Sequence, residues 1–151
     1  MILLLVSASC TQDINMNGSS MKALKDGVLW RPASVTATLA TDGSLTISAL
    51  IQNQSLTINT TAATAGTYIF GEDNINKITY ISTIDGTDTT YVTGTGIGDG
   101  NITITEYDII NKTITGTFRI NANTETVSPD VAPIVNFTQG GFYKIPITSG
   151  L

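Results

Sequence analysis

The sequence predicts an all-β protein: an antiparallel meander of about 8–11 short strands, forming a flattened barrel or a β-sandwich. Three observations carry that expectation. Apolar residues recur at every second position through most of the chain. Short polar or Asp-Gly turns punctuate the alternating runs. No intervening stretch shows a convincing helical period. Threonine, the commonest residue, agrees with this, because a β-branched, half-polar side chain suits the wet face of a sheet.

The elements follow in order. "MKALKDGVLWRP" reads as a hairpin, residues 21–24 and 28–31, around Asp26 and Gly27. "SVTATLA" puts Val35, Ala37 and Leu39 on one face, and "TDGS" turns the chain. "LTISALI" aligns Leu45, Ile47, Ala49 and Ile51; "QNQ" turns again, and "SLTINT" aligns Leu56 with Ile58. "TAATAG" at 61–66 has room for a single helical turn. "GTYIF", "KITYIST", "TTYVTG", "NITITEYD" and "KTITGTFRINA" continue the strands. "PIVNFTQGGFYKIPI" closes the chain with two more. Short links favour strands adjacent in space, and closure removes aggregation-prone edges. Ile102 and Ile104 share a face with which Tyr107 is out of phase, so an inward Tyr107 demands a bulge near Glu106. Gly116 within a strand marks a bend or a close approach.

Composition narrows the function. The 151 residues favour one domain. A body of roughly 130 residues buries about two-thirds of its unfolded surface and needs no metal or disulfide staple. Lys and Arg total 7, Asp and Glu 12, for a net charge of −5. So few cations make a poor nucleic-acid binder and supply no polybasic patch for anionic lipid. The absence of histidine removes Ser-His-Asp and Cys-His catalysis and imidazole metal sites. The single cysteine, Cys10, removes internal disulfides and thiolate clusters. No catalytic residue, metal ligand or cofactor is assigned.

Residues 1–9, "MILLLVSAS", are too short to span a bilayer, which takes about 20 residues. They read as the back of a signal peptide, apolar and then small. Cys10 directly after them resembles a bacterial lipobox, in which the thiol is acylated. Ser7 stands where the commonest lipobox has Leu, and no Lys or Arg precedes the apolar run. These departures fit a leader that starts upstream of Met1. A buried free cysteine on a first strand is the alternative. Residues 10–20 then read as a lipidated Cys10 and a flexible tether, and 21–151 as a single β domain.

"GTY", the later "GTGIGDGNITITEYDIINKTITGTFRINA" and the final "VNFTQGGFYKIP" resemble an uncharacterised family of envelope lipoproteins from Bacteroidota that carries a domain of unknown function. The resemblance spans 21–147; its best-matching pieces are 102–108, 111–118 and 140–142. It implies an amino-terminal lipid anchor, an all-β domain and export to the cell envelope, most readily the outer membrane on its periplasmic or outer face. It implies no activity for any residue.

Other constellations have competing readings. Trp30, Tyr68, Tyr80, Tyr91 and Tyr107 suit a ligand-binding barrel mouth for a glycan or small molecule; they suit core sites better, since large aromatics are highly buried on average. "GTGIGDGN" lacks the spacing of a dinucleotide loop and reads as a mobile loop. Asp85, Asp88 and Asp99 are calcium-type ligands without EF-hand spacing. Asp88-Thr89-Thr90 resembles an O-glycosylation acceptor of Bacteroidota, with Thr89 as the site. Asn17, Asn53 and Asn101 begin Asn-x-Ser/Thr triplets that follow from composition. Glu72, Asp73, Glu106 and Asp108 are glycosidase candidates by residue type alone. The leading expectation is a non-enzymatic envelope lipoprotein that binds or scaffolds a protein or other ligand, held on a membrane by its lipid. A glycan or small-molecule module stands second and a carboxylate hydrolase third.

Overall fold

A computed structural model describes residues 20–149. Eleven strands form: β1 (Ser20–Lys25), β2 (Val28–Trp30), β3 (Ser34–Leu39), β4 (Leu45–Ile51), β5 (Gln54–Thr60), β6 (Gly66–Phe70), β7 (Lys77–Ile84), β8 (Thr87–Val92), β9 (Asp99–Asp108), β10 (Thr113–Thr124) and β11 (Ile134–Ser149). They pair in the order β2-β1-β11-β3-β4-β5-β7-β8-β10-β9-β6, and β10 also pairs with β11. That last pairing closes a ring through β11, β3, β4, β5, β7, β8 and β10. Its two shortest seams, β8–β10 with two residue pairs and β3–β11 with three, divide the strands into β6-β9-β10-β11-β1-β2 and β3-β4-β5-β7-β8, as in a flattened barrel or sandwich. The all-β, barrel-or-sandwich expectation therefore holds.

The turns behave as their sequences dictate. Asp26 and Gly27 take φ of 49° and 81°, and Asp85 and Gly86 take 50° and 75°. Two successive positive φ values are the primed-turn geometry that matches strand twist. Ala37, Leu45, Ile47, Ala49, Leu56 and Ile58 are all buried, as period-2 alternation requires. The bulge near Glu106 is present: the β9–β10 register shifts between Thr115 and Gly116, and Tyr107 then faces Ile114.

Three details differ from the sequence reading. The 61–66 stretch forms no helical turn; the Thr60 hydroxyl donates to the Ala62 carbonyl at 2.7 Å and Ala63 is buried. The final stretch is one strand, β11, not two. It carries two bulges, where Gln139 and Lys144 adopt φ of 50° and 47°. Bulges bend and twist a strand. Here they let one strand pair with β1 and β10, then swing its last residues onto β3. The β3–β11 ladder is parallel, a departure from a purely antiparallel meander. Finally, "GTGIGDGN" is a pinned turn. Gly94 and Ile97 exchange backbone bonds of 2.9 Å, and the Gly96 N–H donates to the Gly71 carbonyl at 2.9 Å.

Candidate functional site

One end of the barrel holds the candidate site. Alternation along β7 and β8 turns Tyr80 and Tyr91 inward, directly opposite each other across the ladder. Trp30, at the end of β2, reaches the same cluster. Phe137 of β11 lies at its centre, with ring centroids 5.2 Å from Trp30 and 5.3 Å from Tyr80, both edge-to-face. Such pairs contribute about 0.5–1.5 kcal/mol beyond area burial. Tyr80 and Tyr91 are 5.9 Å apart.

The polar tips of these rings are satisfied within the protein. Trp30 Nε1 donates to Gln54 Oε1 at 3.0 Å, and the Tyr80 hydroxyl donates to the same oxygen at 2.7 Å. The Tyr91 hydroxyl donates to the Ala132 carbonyl at 2.9 Å, fixing the β10–β11 connection. Burial pushes both phenol pKa values up, with the Asp26 charge a lesser cause for each. A base or nucleophile would need the opposite shift.

Above the rings lies a small cleft of about 210 Å³, lined among others by Lys25, Asp26, Tyr80, Thr89, Tyr91 and Asp130. Lys25 Nζ stands 5.8 Å from the centre of the Tyr80 ring and 3.9 Å from Asp26 Oδ2. Asp26 Oδ1 accepts from the Asn136 N–H at 2.9 Å. Asp26 lies in the tip of the β1–β2 hairpin, and its own N–H donates to the Asn136 carbonyl at 2.8 Å. Hydroxyls, one ammonium and two carboxylates give the cleft hydrogen-bonding recognition chemistry. A second hollow, lined by Gln52, Asn53 and Gln54, shares Lys25, Ser82 and Ile84 with it.

The structure thus brings together three of the five candidate aromatics. Tyr68 lies on β6, where its hydroxyl donates to the Thr64 carbonyl at 2.7 Å. Tyr107 packs half-buried against the core from β9. Thr89 faces the cleft beside Tyr91, whereas Thr90 points to solvent. Cys10, Asn17 and the leader and tether lie outside the described residues. Sequence reasoning missed Lys25, Gln54 and Asp130. A lone lysine before a turn, a glutamine in "QNQ" and an aspartate in a loop carry no local signal.

Four of the carboxylates singled out by type, Asp73, Asp88, Asp99 and Asp108, have structural partners. Asp73 accepts the N–H groups of Ile75 and Asn76 at 2.8 and 2.7 Å. Asp108 accepts those of Ile110 and Asn111 at 3.0 and 2.9 Å. These bonds hold both below the ordinary aspartate pKa. Asp99 accepts from Arg119 at 3.2 Å and Asn121 at 2.8 Å. Asp88 accepts from the Thr83 hydroxyl. Asp85 lies in the β7–β8 turn, and Glu106 is exposed on β9. Among the described residues, no group of three or more His, Cys, Asp or Glu could hold a metal. No helix there is long and apolar enough to cross a membrane.

No curated protein and no solved structure matches the chain. A family model described as a domain of unknown function, DUF6252, matches residues 17–146. That match covers most of the chain, including every strand up to the last residues of β11, and the protein therefore belongs to the DUF6252 family.

Proposed function

We propose that this protein is a non-enzymatic lipoprotein of the bacterial cell envelope, of the kind Bacteroidota carry, whose β domain binds or scaffolds a partner. The carrying observation is how the barrel's aromatic end is used. Trp30, Tyr80 and Tyr91 direct their donors to Gln54 and the Ala132 carbonyl, so the interior serves rigidity and recognition falls to the outer surface. The small-residue run ending at Cys10 supports export and acylation. Multiple acyl chains at about 0.8 kcal/mol per buried CH₂ would hold the domain firmly on a membrane. The test is metabolic lipid labelling and membrane fractionation of Cys10→Ser, expressed with the full natural leader. Labelling and membrane association should both disappear; if they persist, the anchor reading fails.

A second reading is a small-molecule or glycan site at the cleft. It is favoured by one observation: Tyr80, Tyr91, Lys25, Asp26 and Asp130 line the same hollow. A glycan array probed with the full chain and with Lys25→Ala tests it. Binding that Lys25→Ala removes supports the cleft; a blank array leaves scaffolding.

A further inference from the structure

Four hairpin turns of the barrel are built from polar residues and glycine: Asp26-Gly27, Thr41 to Ser44, Gln52-Asn53 and Asp85-Gly86. The β9–β10 turn is different. It carries Ile109 and Ile110, which are 73% and 91% exposed. Neither is needed to form the turn. Asp108 caps it through the N–H groups of Ile110 and Asn111, and through Asn111 Nδ2 at 2.8 Å. Lys112 supplies the left-handed residue, φ 53°, and its carbonyl accepts the Ile147 N–H at 2.8 Å. Two adjacent isoleucines are therefore held out into solvent on a capped tip, whereas Val28 and Ile84, each 69% exposed, lie on strands beside their turns and Val127, 99% exposed, stands singly in the β10–β11 connection.

The register shows which way this tip faces. Ser20 pairs with Tyr143, and Pro146 pairs with Thr113 beside the tip. Three residues of strand separate Tyr143 from Pro146, roughly 10 Å. The chain thus enters β1 from the end of the barrel that bears Ile109 and Ile110. The acidic cleft lies at the other end, since Lys25 pairs with Phe137, roughly 30 Å along β11 from Pro146. If Cys10 is acylated, the ten residues to Ser20 reach at most about 35 Å. The same tip end carries Lys112 and Lys144, with Lys144 Nζ 5.2 Å from the Tyr143 ring centre. Glu106 is exposed there too, and the Asp108 carboxylate is taken up by the turn. Apolar tips flanked by lysine and tyrosine suit the bilayer interface, where no shape-matched pocket is required.

We infer that the Ile109–Ile110 tip, flanked by Lys112 and Lys144, is a membrane-contacting element that seats the barrel on the bilayer and points the Lys25/Asp26/Asp130 cleft away from it. This orientation rests on the anchor at Cys10.

The test uses the full lipidated chain purified from membranes. An environment-sensitive dye is attached at Ile110→Cys, or at Ile84→Cys at the cleft end. Each protein is reconstituted into vesicles of phosphatidylethanolamine and phosphatidylglycerol. At position 110 the dye emission should shift to the blue and resist an aqueous quencher severalfold better than at 84. Adding Ile109→Ser should remove most of that protection. Equal quenching at 110 and 84 overturns the proposal and leaves the tip to a protein partner. The intact mass of the same preparation reads acylation of Cys10 independently. An unacylated Cys10 overturns the anchor and the orientation with it, while an acylated protein with an unprotected tip overturns the tip alone.

Discussion

Gly116 of β10 stands directly opposite Phe142 of β11, and the ring fills the space a side chain would need. A Cβ on Gly116 would come 2.5 Å from Phe142 Cζ and would also meet the Thr103 carbonyl oxygen. The arrangement repeats in mirror sense two pairs along. Gly140 faces Phe118, and its Cβ would lie 2.6 Å from Phe118 Cε2. The two phenyl rings, each lying over the other strand's glycine, stack at 6.5 Å. Gly116→Val should destabilise the protein by about 1–3 kcal/mol or more through overpacking. A urea titration measures this, and a loss under about 0.5 kcal/mol, the range of a neutral surface change, would contradict the close approach.

Gln54 accepts two donors with one oxygen, which makes its loss worse than the loss of either donor. Tyr80→Phe removes one hydrogen bond and should cost about 1 kcal/mol. Gln54→Leu leaves the Trp30 indole and the Tyr80 hydroxyl without their acceptor and should cost about 2–4 kcal/mol. The double variant should fall short of additivity, since Tyr80→Phe removes one of the orphaned donors. Denaturant midpoints of the three variants read the cycle.

Alkaline unfolding should involve the buried phenols. Burial holds the Tyr80 and Tyr91 hydroxyls above the usual tyrosine pKa, so the folded state keeps protons the unfolded chain gives up. That contribution is complete below the unfolded value of about 10 and disappears as pH rises past it towards the folded value. Stability measured against pH should fall above about pH 10, and Tyr80→Phe should flatten the slope.

At the acid end the sign reverses. Hydrogen bonds from Ser44 to Asp42, from Asn76 and Ile75 to Asp73, and from Asn111 and Ile110 to Asp108 hold these carboxyls below the ordinary value. Their contribution is present above about pH 4 and is lost as pH falls through the folded values. All three are solvent-exposed, so each effect is small. Carbon-detected NMR titration of the carboxyls checks this: all three should titrate below the ordinary aspartate value.

The exposed tip should be dispensable for folding. Ile109→Ser combined with Ile110→Ser should change stability by no more than about 0.5 kcal/mol, as for other surface sites. Thermal unfolding of the double variant measures this. A large loss would mean that the isoleucines pack against something in the fold.

The meander was legible because its signals are local. Alternation placed Ala37, Ile47, Ala49 and Ile58 inside, and Asp26-Gly27 and Asp85-Gly86 turned the chain as such pairs do. The out-of-phase Tyr107, if inward, called for a bulge near Glu106, and the β9–β10 register carries one. The β11 bulges left no such trace. Gln139 and Lys144 adopt backbone conformations that neither residue type advertises, and only the competing demands of β1, β10 and β3 hold them there.

The sequence by itself determined the all-β class, most strand positions, and the exclusion of histidine, thiolate and disulfide chemistry. Periodicity, turn residues and composition act within a few residues of chain, so they can be read without a fold. Tertiary structure decided what depends on partners distant in sequence. It closed the ring through β10 and β11 and gave Gln54 two aromatic donors from strands 24 and 26 residues away. It also put the point where the chain enters β1 at the same end as Ile109 and Ile110, because Ser20 is registered against Tyr143, over a hundred residues on.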